Sequence, residues 1–231
     1  MASVGQLHML FTCPFCWKVR SLLEHLNLEF ETIQINPLKQ KKSLPSAPEW
    51  VKVPVWVEND GEIYVDSTPI MKHIDNNFNE GKLWKSTNEK RRDEWMEWVD
   101  LRLSKATIPI LYGSIGSALK TTLMVSKLEK FGFFSKRIYA WAGFPIMWGI
   151  IARTRVKKDG RKPKKLWHDL LTEFTDEFNG SPFFGGDNPD LVDIAAFGYV
   201  RSISPYVQFK ELEDHAEGMK WYRAVEETLK T

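Results

Sequence analysis

Two thiols three residues apart, in the run Cys13-Pro14-Phe15-Cys16, are the side chains of this sequence best placed to do chemistry. They follow a short apolar run, Leu7-His8-Met9-Leu10-Phe11, that reads as a strand. They precede Val19, Leu22, Leu23 and Leu26, whose i, i+3, i+4, i+7 spacing marks one face of a helix. The pattern therefore predicts a strand-to-helix turn with Cys13 at the helix N-terminus. Unpaired backbone N–H groups and the helix dipole stabilise a thiolate at such a place. Lys18 and Arg20 lie close by in sequence and add positive charge. Thiol chemistry is the leading reading, with Cys13 the nucleophile. Cys16, one turn deeper, is a resolving thiol or a packing residue, and with both thiols a dithiol–disulfide cycle is open. Two bland readings compete. A zinc half-site needs two further ligands at suitable spacing, but the chain has no second cysteine pair and its five histidines are scattered. Two inert core thiols are the stronger competitor.

The elements that must hold these thiols alternate between strand and helix up to residue 78. Leu28 to Ile35 alternates apolar with polar, as a half-buried strand does, and Asn36-Pro37 ends it. A lysine-rich stretch with Lys39, Lys41 and Lys42 reads as a short surface helix. Val51 to Val57 leads into a third strand, Asn59-Asp60-Gly61 is a hairpin turn, and Glu62 to Val65 is a fourth strand. Asp66-Ser67 then opens a helix with the stripe Ile70, Ile74, Phe78. Residues 81–87 read as a linker. From residue 88 onward the signals are helical only, with helices expected over 89–103, 105–131, 133–152, 163–179, 190–203 and 216–230. The fold class is therefore α/β plus all-α, with domains at 1–80 and 88–231.

Composition bounds the function. The 231 residues are 43% hydrophobic, enough for a sizeable core, and the formal net charge of +2 gives no case for nucleic acid. Two cysteines this close exclude a disulfide scaffold and point to a reducing, intracellular compartment, cytoplasm or organelle matrix. The N-terminus shows no basic-then-apolar secretory signal.

The Cys-Pro-Phe-Cys run, Lys52-Val53-Pro54-Val55 ahead of the third strand, Asp66-Ser67 at the next helix and Asp190-Leu191-Val192-Asp193-Ile194-Ala195 together resemble the glutathione transferase superfamily. That superfamily joins a thioredoxin-like N-terminal domain to a C-terminal helical domain. Further runs, Pro182-Phe183-Phe184-Gly185-Gly186 and Trp221-Tyr222, are similar to its prostaglandin E synthase 2 branch. The resemblance implies a cis Val53–Pro54 bond that exposes the backbone of Val53 to the cysteinyl part of glutathione. It also implies a γ-glutamyl site at Asp66 and Ser67, where helix N–H groups favour a carboxylate. For each the bland reading is a tight turn and an ordinary N-cap. Lys52 is a further candidate for the glycyl carboxylate. The implied activity is a thiol-dependent transferase or isomerase acting on a small apolar or peroxide substrate, as a homodimer, with haem as an added implication of the branch. Alternatives are a glutaredoxin-like disulfide reductase and a non-catalytic subunit of a larger assembly.

Two features pull in other directions. Asp190 and Asp193 tempt a catalytic reading, but their spacing is that of a capping box, and they are assigned to folding. Residues 138–152 carry no charge yet fall short of the roughly 20 residues that span a bilayer. Eight basic residues and one acid follow over 153–165, which suits a membrane surface or an acidic protein partner. Against that stands a core helix followed by a solvated loop.

Overall fold

In the computed structural model, described for residues 3–37, 40–45, 50–85, 88–129 and 144–229, the first eighty residues form a four-stranded sheet with helices. β1 (Gly5–Met9) leads through α1 (Pro14–His25) to β2 (Glu31–Gln34), and the helical crossover makes the two strands parallel. The short helix α2 (Gln40–Ser43) follows, then the hairpin β3 (Val55–Glu58) and β4 (Ile63–Val65), giving the sheet order β2-β1-β3-β4 with β3 antiparallel to both neighbours. Gly61 closes the hairpin at φ +92°, where a side chain would be strained. Helix α3 (Ser67–Asn79) completes the unit.

Apolar side chains from α1, the sheet and α3 make its core: Val19, Leu22 and Leu23 meet Leu7, Met9 and Trp56, with Ile70 and Ile74 alongside. Phe78 departs from the expected stripe and is exposed. Steps of four residues overshoot a helical turn, so residue 78 is rotated by roughly 80° from residue 70. Met71 and Asp75 take the buried face instead. Asp75 accepts the backbone N–H groups of Leu83 and Trp84, at 3.2 and 2.9 Å, so the described part of the linker is pinned rather than loose.

The remaining elements are helical. α4 (Glu89–Trp98) runs through a π-helical turn (Val99–Leu103) into α5 (Ser104–Tyr112), and α6 (Ile115–Leu128) starts after a break at Gly113, capped by Ser114. The helix expected over 133–152 falls partly on 130–143, outside the described residues. Its described end is a π-helical stretch (Ile146–Ala152) that continues into α7 (Arg153–Asp159), so the basic segment begins on a helix and not in a loop. α8 (Pro163–Asp176), α9 (Leu191–Arg201), a short α10 (Phe209–Glu213) that periodicity did not signal, and α11 (Ala216–Thr228) follow.

α9 is buried along its length and packs against α1. Gly198 makes this possible: a Cβ there would fall 2.6 Å from the backbone of Lys18. At its N-terminus Asp190 accepts from the amides of Val192 and Asp193, and Asp193 reaches back to the Asp190 amide, the capping box expected from sequence. Asp193 also accepts from the Phe184 and Gly185 amides and the Trp221 indole. Among the described residues no single helix is long and apolar enough to cross a membrane.

Candidate functional site

Cys13 is the N-cap residue of α1, in extended conformation, and its side chain caps nothing. The residue is half-buried, and the Val53 carbonyl lies 3.9 Å from its sulfur. Cys16 is fully buried beneath it. The Cys16 thiol, donating toward the Cys13 sulfur, and the amides of Cys16 and Phe15 hold the Cys13 thiol below its ordinary value, while burial and the Glu129 carboxylate push the other way. Burial, with Cys13 beside it, pushes the Cys16 thiol well up. The pair is thus split into a thiolate former and a thiol donor, which is the division of labour that nucleophilic sulfur needs.

The acidifying charge expected from Lys18 and Arg20 is absent from this balance. Lys18 is fully buried and its ammonium is spent on an ion pair with Asp100, 2.8 Å from the Thr68 hydroxyl and 3.4 Å from that of Ser67. Thr68 donates to the other Asp100 oxygen at 2.7 Å, and Tyr199 donates to Asp100 at 3.2 Å. This buried network ties α1 to the start of α3, the π-helical turn and α9. Arg20 pairs with Glu24 and lies over the rings of Phe11 and Trp17. The acidification comes from the helix end and the second thiol.

The Val53–Pro54 bond is cis. At the start of α3, Asp66 adopts φ +68°, ψ +134°, a region that favours glycine, and its exposed side chain makes no capping bond. The ordinary N-cap is therefore not what stands there: backbone strain is held at a helix end whose N–H groups no side chain caps, and strain of this kind collects at ligand sites. Ser67 is buried, with its hydroxyl turned to Lys18. Lys52 is exposed and its ammonium lies over the Trp50 ring.

Several residues of the site carried no local signal. Glu129, at the end of α6 and 117 positions from Thr12, accepts both the Thr12 amide at 2.8 Å and the Thr12 hydroxyl at 2.7 Å. It also accepts from Gln34 at the end of β2. The loop entering the Cys-Pro-Phe-Cys turn is thus clamped to the helical half. Above Cys13 lies a cavity of about 330 Å³ whose walls come from α5 and from Met147, Arg155 and Tyr206. Ile108, Leu111 and Met147 make it apolar, the hydroxyls of Ser104, Thr107 and Tyr112 add donors, and Arg155 is the one charge in its lining. The signal for Lys18 was there to be read: it sits four residues before Leu22, on the face that packs.

Among the described residues no histidine lines this cavity, so it offers haem no imidazole ligand. Among the described residues no cluster of His, Cys, Asp and Glu could hold a metal ion.

Residues 7–82 match the glutathione S-transferase N-terminal domain family. The match spans about a third of the chain, the part that carries the four-stranded sheet. The whole chain is similar to prostaglandin E synthase 2 of Danio rerio, at 24% identity over 94% of this chain and 68% of that one. It matches prostaglandin E synthase 2 of Mus musculus at 24% over 96% and 70%. Among solved structures, a glutathione S-transferase of Ceriporiopsis subvermispora in complex with glutathione superposes with a TM-score of 0.68 at 15% identity, covering 98% of both chains. The fold is therefore the two-part transferase fold from end to end: a thioredoxin-like domain followed by a helical one.

Proposed function

We propose that this protein binds glutathione beside Cys13 and uses the paired thiols in a thiol-dependent transfer or isomerisation. The observation that carries the reading is Cys13 itself: its thiol is lowered in pKa, its sulfur lies 3.9 Å from the Val53 carbonyl, and the half-buried residue lines an apolar cavity. In this reading the backbone of Val53, next to Pro54, holds the cysteinyl part of glutathione, and the uncapped start of α3 at Asp66 and Ser67 receives its γ-glutamyl carboxylate. Asp66, exposed at that point, takes the ammonium. Ser67 serves through its backbone, since its hydroxyl is engaged inside. Cys13 then either attacks one sulfur of a disulfide substrate, forming a mixed disulfide and releasing the other sulfur as thiolate, or orients the glutathione thiol.

The second substrate is an apolar molecule lying over Ile108, Leu111 and Met147, with Arg155 to hold an acidic group. The kinship with prostaglandin E synthase 2 supports isomerisation of a lipid peroxide as the reaction. We place the protein as a homodimer in a reducing compartment, at a membrane surface or against an acidic partner through 153–165. Three of the cations there are engaged internally: Arg161 with Asp159 and Asp169, Lys164 with Asp214, and Lys165 with Asp169.

Alkylation of the full chain by iodoacetamide, followed across pH with and without glutathione, tests the reading. The expected result is a midpoint below the ~8.5 of a free thiol, protection by glutathione, and loss of the fast reaction in Cys13→Ser with the circular dichroism unchanged. An ordinary midpoint without protection hands the case to a non-catalytic subunit. A Cys16→Ser variant separates the remaining chemistries, because a disulfide reductase working through both thiols stops without Cys16 and an isomerase does not.

A further inference from the structure

A second cavity, of about 400 Å³, shares Arg155 with the one at Cys13. Five of its ten lining residues are cations and one is an acid, in a chain whose net charge is only +2. Internal partners account for two of the cations. Arg161 bonds Asp159 at 2.7 Å and Asp169 at 3.0 Å, and Arg102 pairs with Glu173 at 3.0 Å. The other three, Lys105 on α5 with Arg155 and Lys158 on α7, have no ion pair or hydrogen bond among the described residues. Three like charges brought to one cleft repel each other unless an anion completes the site. The floor between them is hydrocarbon: Ala106, Pro109, Leu166 and Leu170 belong to the packed core. A bare inorganic ion would use the rim and waste the floor, and an uncharged lipid would do the reverse.

We propose that this cavity binds an amphipathic anion, an alkyl or acyl chain ending in a phosphate, with the chain on the Leu166 and Leu170 floor and the phosphate between Lys105, Arg155 and Lys158. Arginine suits the role because its planar fork matches phosphate oxygens in pairs. The proposal does not rest on glutathione being the thiol at Cys13. It adds that the phosphate contacts the same arginine that faces the thiol cavity, so the two ligands meet at Arg155.

The test is calorimetric titration of the full chain with dodecyl phosphate below its micelle concentration, beside inorganic phosphate, dodecanol and vesicles of phosphatidylcholine with phosphatidylglycerol. Saturable binding of monomeric dodecyl phosphate is expected, at least tenfold tighter than inorganic phosphate or dodecanol. Lys105→Gln with Lys158→Gln should weaken it about tenfold or more, as loss of charge-assisted contacts predicts. Lys157→Gln removes a neighbouring exposed charge outside the cavity and should change it less than twofold. Binding to vesicles without binding to the monomer, or equal weakening by Lys157→Gln and by the cavity pair, overturns the proposal. Exposed lysines were chosen so that the variants keep their fold.

Discussion

At the start of α9 the backbone donors end on carboxylate oxygens, Asp190 taking two amides and Asp193 three amides and an indole N–H. At the start of α1 the N-cap is Cys13, whose side chain takes none in this way, and at α3 Asp66 turns its carboxylate outward. The same local physics, N–H groups with no intrahelical partner, has been closed in one place and left open in the others. The closed end lies in the core and holds helices together. The open end of α1 lies where the Cys13 sulfur meets the Val53 carbonyl. A helix N-terminus in this chain is either closed by its own side chains or left open, and the proposed glutathione site draws on the open kind.

Substitutions at the two kinds of end should therefore fail differently. The largest effect is expected at the closed one. Asp193→Ala leaves three buried N–H groups and the part-buried Gly185 amide without an acceptor, and it removes half a capping box. It should lower unfolding free energy by about 3 kcal/mol or more in urea titration. A loss under 1 kcal/mol would mean that the α9 end is no more structural than that of α1. At the open end the fold should survive and reactivity should move. Cys16→Ala takes away the thiol that donates to the Cys13 sulfur, so the Cys13 pKa rises. At a pH below both midpoints, each located by the alkylation titration, the reaction should slow by several-fold, since a shift of one unit is about tenfold in thiolate. The lower nucleophilicity of more acidic thiols tempers that figure. The smallest effect is expected from Glu129→Gln, which keeps an acceptor for Thr12 but removes a negative charge that pushes the thiol up. The alkylation midpoint should shift down, and the rate at a pH below it should increase by about twofold. A shift upward would show that the Thr12 clamp matters through geometry and not through charge.

What could be read from sequence was whatever is local. The strand-to-helix turn at Cys13, the crossover to β2, the hairpin at Gly61 and the box at Asp190 and Asp193 each depend on residues within a few positions of one another, and each stands where spacing put it. Phe78 misled because a four-residue stripe drifts around a helix. The site was legible only on its sequence-near side. Glu129 meets Thr12 across 117 positions and Arg155 reaches the cavity from α7; neither has a pattern of its own. Lys18 shows the cost of reading charge without burial. Near in sequence to the thiol, it reads as an acidifying neighbour, whereas its helical phase puts it in the core with Asp100.

That buried lysine has a consequence for taking the molecule apart. Lys18 belongs to the thioredoxin-like part of the chain and Asp100 to the helical part, and the backbone of α1 lies against Gly198. An excised 1–80 fragment would carry a naked ammonium on the apolar flank of its main helix, together with a Thr12 loop deprived of its anchor. The thioredoxin-like half is thus not a transplantable cassette, and its sulfur chemistry belongs to the intact chain.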